Sequence, residues 1–154
     1  MTFTVEGCGP EAAETVFRLT RLAFAPQTSL QPPSGALSET LETVRKDLEL
    51  HGGALASNGV ERVGALRLVR ERDHLHVRRV AVDPAWQGRG AGRALMEWAR
   101  GEAVSSGYRQ LRLGVRSALP GNLAFYERLG YRVIAEHPHQ SVPAATWFEL
   151  ALDL

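Results

Sequence analysis

Apolar residues recur along this chain at two different spacings, and the switches between them outline its elements. Phe3 to Val5 reads as a short strand. Pro10 can open a helix, because the first helical position needs no backbone N–H. Ala12, Val16, Leu19 and Ala23 then repeat at the spacing of one helical face. Pro26 to Gly35, rich in Pro, Gln and Ser, is a loop between helices. A second stripe holds Leu37, Leu41, Val44 and Leu48, and Gly52-Gly53 ends it.

The rhythm then shortens. Ala54 to Ser57 and Val60 to Val69 read as strands joined at Asn58-Gly59, a strong hairpin signal. Arg72-Asp73 makes the next turn, and Leu75 to Val82 runs as a strand to Asp83-Pro84. From about Gly90, Ala91, Ala94, Leu95 and Trp98 share a helical face that belongs in the core. Leu111, Leu113 and Val115 alternate as a strand. Asn122 to Leu129 is a short helix closed by Gly130, and Tyr131 to Ala135 and Thr146 to Leu152 are the last strands. This alternation predicts an α/β (α+β) protein, a central mixed sheet covered by helices.

Composition narrows the function. The 154 residues suit one domain, 1–154, with one core. A net charge of +1 gives no ground for nucleic acid or a membrane as partner. Met1 to Glu6 lacks the basic and apolar regions of a signal peptide, so a cytoplasmic location is expected. The only cysteine, Cys8, has no His or Asp beside it and reads as a structural thiol. His137-Pro138-His139 has short metal-like spacing but no evident third ligand, so no metal is expected. Arg78-Arg79 could bind an acidic substrate or a phosphate of the ligand, but on opposite faces of a strand they read first as solvent or ion-pair residues.

The chemistry concentrates in Val80-Ala81-Val82-Asp83-Pro84-Ala85-Trp86-Gln87-Gly88-Arg89-Gly90-Ala91-Gly92-Arg93. A strand ends and three glycines at alternate positions lead into a helix. The first amides of a helix lack internal partners and sit at its positive pole. Without Cβ atoms at Gly88, Gly90 and Gly92, a phosphate can come close to them, and Arg89 and Arg93 add charge. A P-loop is excluded because Gly92-Arg93-Ala94 replaces its Gly-Lys-Ser/Thr. The glycine spacing also departs from the dinucleotide-binding G-x-G-x-x-G.

Gln87-x-x-Gly90-x-Gly92 instead resembles the Q/R-x-x-G-x-G/A signature of GNAT-family N-acetyltransferases. Asn122-Leu123-Ala124-Phe125-Tyr126-Glu127-Arg128-Leu129-Gly130-Tyr131 resembles the family's second conserved segment. The resemblance implies a GNAT-like, mostly antiparallel sheet of about six to seven strands flanked by about four helices. It implies acetyl-CoA as donor and an amine of unidentified class as acceptor, with direct transfer between them. A non-catalytic acyl-CoA-binding module is the alternative, and a homodimer is open. Implied cofactor contacts are the backbone of Val80, Ala81 and Val82, the loop Gln87, Gly88, Arg89, Gly90, Ala91, Gly92 and Arg93, and Asn122.

The family pattern makes Tyr126 the group that protonates the departing sulfur. It places a backbone N–H near Val82 against the carbonyl oxygen. Some members carry a basic Glu eleven residues before the glycine motif, where this chain has His76. With an ordinary pKa of about 6.5, His76 is the candidate base. His74, Glu71 and Asp73 are weaker ones. Many members place an Asn seven residues before the Tyr, where this chain has Leu119. Asn122 therefore has two readings, cofactor contact or helix cap.

Overall fold

The computed structural model describes residues 2–154. Its elements follow the expected order: β1 (Thr4–Cys8), α1 (Ala13–Phe24), α2 (Leu41–His51), β2 (Gly53–Ser57), β3 (Arg62–Arg70), β4 (Leu75–Val82), α3 (Ala91–Ser105), β5 (Gln110–Arg116), α4 (Pro120–Arg128), β6 (Arg132–Pro138) and β7 (Thr146–Asp153). The strands form one seven-stranded sheet in the order β1-β2-β3-β4-β5-β7-β6. Only the β4–β5 pair is parallel. No helix among the described residues is long and apolar enough to cross a membrane.

Helices cover both sheet faces. Val16, Leu19, Val44 and Leu48 of α1 and α2 pack on Leu55 and Ala65. Leu95, Met96 and Ala99 of α3 pack on Leu66, Leu68, Leu75 and Val77 on the other side. This explains why β3 is apolar almost throughout: both of its faces are covered. Each large side chain so buried contributes about 1.5–3 kcal/mol.

Local chemistry moved several boundaries. Leu37 is not on α2. It lies in a 3-10 turn, Gly35–Ser38, and α2 starts after Thr40, whose hydroxyl accepts from the Thr43 amide. The β2–β3 connection is not a two-residue turn. The Asn58 carboxamide oxygen accepts from the amides of both Val60 and Glu61, which lengthens the loop and leaves Val60 93% exposed. Trp98 is only half-buried and rests over Gly7 of β1, while Met96 and Ala99 take the core face. β7 is paired on both edges, with β5 and with β6.

Candidate active site

The site begins where two parallel strands stop pairing. β4 and β5 pair only at Leu75↔Leu111 and His76↔Arg112. On its other edge, β4 carries a bulge. Ala65 faces Ala81 and Arg67 faces Arg78, so Leu66 alone opposes both Arg79 and Val80. Arg79 adopts φ 54°, unusual for a residue with a side chain. A bulge bends its strand, and here β4 turns away from β5. The gap holds a cavity of about 420 Å³. β4 lines it with His76 and Arg78 to Val80, β5 with Leu113 to Arg116, and α4 with Asn122 and Tyr126.

The bulge also corrects the reading of the two arginines. They do not face opposite ways. Arg78 and Arg79 both reach the same oxygen of Glu39, at 3.6 and 3.4 Å, because the extra residue resets the alternation.

Beyond the bulge the ladder resumes, and the Asp83 amide donates to the Val63 carbonyl at 2.8 Å. Residues of an antiparallel strand alternate in direction. Val82 therefore turns its amide and carbonyl toward the gap. Its carbonyl accepts from Gln87 Nε2 at 3.2 Å, so Gln87 braces the strand to the loop that follows.

In that loop, Gly88 (φ 75°) and Gly90 (φ 98°) hold left-handed conformations that explain glycine there. A Cβ at either would meet nothing within 4 Å, so the surface above them is open. Gly92 differs. A Cβ there would lie 3.4 Å from the Phe125 ring and 3.9 Å from Val82, so its glycine closes the joint between α3, α4 and β4. The first internal bond of α3 is Ala94 N–H to Gly90 carbonyl, and no side chain caps the helix. The amides of Ala91, Gly92 and Arg93 are thus left without helical partners. Arg89 stacks over Trp86 at 5.0 Å, and Arg93 pairs with Glu97 at 3.2 Å. This loop is open, rich in donors and positive, which fits a pyrophosphate.

Tyr126 reaches the cavity from α4. Its ring is held edge-on by Phe125 at 5.0 Å and Tyr131 at 5.9 Å. No protein group among the described residues hydrogen-bonds its hydroxyl, and burial pushes its pKa upward. His76 lines the cavity from β4, and its ring likewise has no protein hydrogen bond among the described residues. Burial lowers its pKa from 6.5, helped by His74 and Arg78 and opposed by Glu149 and Glu71. The imidazole is therefore neutral at pH 7. The capping alternative for Asn122 fails. The N-cap is Leu119, and Asn122 sits inside the first turn, lining the cavity.

Other candidates have local explanations. His74 pairs with Asp73 at 2.8 Å on the exposed turn. His137 stacks on Trp147 at 4.5 Å and bonds Glu149 at 3.0 Å, while His139 lines the cavity, so the two imidazoles have separate surroundings. Burial and the Glu11 carboxylate push the Cys8 thiol up to about 11, which keeps it protonated.

Sequence reading missed the polar frame behind the cavity. Arg67, fully buried in β3, bonds Glu39 at 2.6 Å and Asp47 at 3.0 Å. Its place in the run Val63-Gly64-Ala65-Leu66-Arg67-Leu68-Val69 was the available signal, since a charge there requires a partner. Arg116 donates to the Pro32 and Pro33 carbonyls and so ties β5 to the α1–α2 connection. Gly114 leaves room for the Trp147 ring, which a Cβ would meet at 3.1 Å.

Comparison with known proteins places this arrangement. Residues 18–131 match the model of the Acetyltransferase (GNAT) family. No curated protein sequence gave a match. Solved structures are similar throughout. PaiA N-acetyltransferase from Thermoplasma acidophilum, in complex with coenzyme A, has a TM-score of 0.81 at 16% identity and covers 100% of both chains. A ribosomal-protein alanine N-acetyltransferase from Escherichia coli has a TM-score of 0.79 at 20% identity, covering 99% of this chain and 94% of that one. A GNAT family acetyltransferase from Elizabethkingia anophelis with acetyl-CoA bound has a TM-score of 0.73 at 18% identity, covering 99% and 98%. At such identities the likeness is one of fold.

Proposed function

Because this chain belongs to the GNAT acetyltransferase family, we propose that it moves an acetyl group from acetyl-CoA directly to an amine. The observation that carries this reading is the unpartnered amide cluster at the start of α3, joined through Gly92 to the strand and helix that bring Val82 and Tyr126 to the open gap. Those amides and the Gly88–Gly90 loop would hold the pyrophosphate. The Val82 backbone, turned into the gap, would lie along the pantetheine arm. Acetyl-CoA supplies an activated acyl carbon, and the protein's own groups do the rest.

The acceptor must arrive as a neutral amine. As the N–C bond forms, His76, neutral at pH 7, takes the proton that the attacking nitrogen sheds, directly or through water, and passes it to solvent. A backbone amide of the bulged β4 faces the negative charge that develops on the carbonyl oxygen. Tyr126 serves the sulfur, but not as a simple acid. A phenol at about 10 gives a proton to a thiolate whose thiol has a pKa of about 8.5 only at a cost of about 2 kcal/mol, and burial widens that gap. The hydroxyl therefore stabilises the leaving thiolate by donating a hydrogen bond.

The direct test is calorimetric binding of coenzyme A, followed by release of free CoA thiol from acetyl-CoA with a broad amine panel. Binding with acceptor-dependent release is expected. Binding without release for any amine would leave only a cofactor-binding module, and no binding would overturn the reading altogether.

Two variants probe the roles. Tyr126→Phe should lower kcat by about 10- to 150-fold, the worth of one hydrogen bond to a charged group at 1.5–3 kcal/mol. Its coenzyme A affinity should be unchanged, and full turnover in this variant would remove Tyr126 from the mechanism. For His76, the lowered pKa fixes the sign of the pH effect. Expressed per neutral amine, kcat/KM should rise tenfold per pH unit in acid and level off at a midpoint below 6.5. His76→Gln should lose that limb, and an identical limb in the variant would assign the base elsewhere.

A further inference from the structure

The cavity wall is cationic on the side away from the α3 loop. Among the described residues, no Asp or Glu lines the cavity, whereas Arg78, Arg79 and Arg116 do. Two carboxylates stand behind this wall, Glu39 and Asp47, and both are engaged by the buried Arg67. Arg79 shares Glu39 with Arg67 through a long hydrogen bond of 3.4 Å, Arg78 stands 3.6 Å from Glu39 and 3.9 Å from Asp47, and Arg116 has backbone carbonyls as its partners. Four guanidinium groups against two carboxylates leave positive charge uncompensated in a partly dry pocket. Such charge is costly unless something pairs with it. The left-handed φ of Arg79 points the same way, since a side chain held in a rare conformation at a cavity indicates a placement that matters there.

We propose that the acceptor is an amine that also carries an oxyanion group, carboxylate or phosphate, which docks on Arg79 and Arg116 while its amine faces the gap. A guanidinium fork matches either anion. Polyamines and other multiply cationic amines are repelled by the same wall. The inference rests on the acetyl-transfer reading and names the acceptor class for it.

The test compares each of the common amino acids with its carboxamide, with O-phosphoserine and 2-aminoethylphosphonate as the phosphate arm and spermidine as the polycation. Compared per neutral amine, acceptors that bear carboxylate or phosphate should exceed those that lack it by about tenfold or more in kcat/KM. Arg79→Asn, which tolerates the positive φ, and Arg116→Gln should erase that preference while leaving coenzyme A affinity intact. The better arm identifies the anion. Equal or better turnover of carboxamides or spermidine would overturn the proposal. Independently of turnover, glutarate and inorganic phosphate are titrated calorimetrically into the free and coenzyme A-loaded protein. Saturable binding of either, weakened in both variants, supports the cationic site. No saturable binding of either overturns it. Failure of coenzyme A to bind instead counts against acetyl transfer, so the two failures are separable.

Discussion

Replacing Arg67 with alanine will cost the folded state about 3–5 kcal/mol, read as a lower urea midpoint at unchanged slope. Arg67 has no exposed side-chain surface, and Glu39, its main partner, keeps only 7%. The pair joins β3 to the residue that follows the Gly35–Ser38 turn, and Asp47 adds α2 to the same guanidinium. Removing the arginine leaves a nearly buried carboxylate under-compensated, held only by the weaker contacts of Arg79 at 3.4 Å and Arg78 at 3.6 Å. A second change, Glu39→Gln, should recover part of the loss in the Arg67→Ala background, because it deletes the stranded charge. Additive losses would show that the pair does not interact.

The same pair sets a pH dependence. Burial pushes Glu39 upward, but the hydrogen bonds and charges of Arg67, Arg79 and Arg78 outweigh it and hold the carboxyl below its ordinary value. A depressed carboxyl contributes stability that is complete above its unfolded pKa, about 4.3, and is lost as pH falls through the folded value. Wild-type protein should lose that contribution below pH 4.3. In Arg67→Ala only the charges of Arg79 and Arg78 still oppose burial, so this part of the acid sensitivity should shrink.

What sequence could reveal here was local. The stripe through Ala91 and Leu95 located α3, and glycines at alternate positions located the loop before it. Both depend on neighbours within a few residues. The gap between β4 and β5 was not legible, because it arises from one extra residue in β4 opposite Leu66, and nothing in Arg78-Arg79-Val80 declares a bulge. Arg67 and Glu39 are 28 residues apart, so their pairing needs the tertiary fold. Asn58 and Leu37 misled for a different reason. Each fitted a standard pattern, and a side-chain oxygen at Asn58 or Thr40 captured the backbone first. Gly92 matched the motif, yet in the structure its missing Cβ makes room for Phe125.

The loop itself gives the other large effect. Gly90→Asp should weaken coenzyme A binding by about 10³-fold, equivalent to about 4 kcal/mol, the sum of two or so lost charge-assisted bonds. Gly90 is the N-cap of α3, with its φ at 98° and nothing within 4 Å of a Cβ. An Asp there sets a carboxylate beside the free amides of Ala91, Gly92 and Arg93, where it competes for them and repels a phosphate. Bulk alone is not the cause, since the space is open. Gly90→Asn separates the remaining contributions. Asn has nearly the same shape, accepts the left-handed conformation and can also reach the amides, but it carries no charge. The expected order of affinity is glycine, then asparagine, then aspartate, with the last gap shrinking as salt is raised. Circular dichroism should find all three folded. If the Asp variant binds coenzyme A as the wild type does, the amides at the start of α3 do not hold the phosphates, and the donor site lies elsewhere.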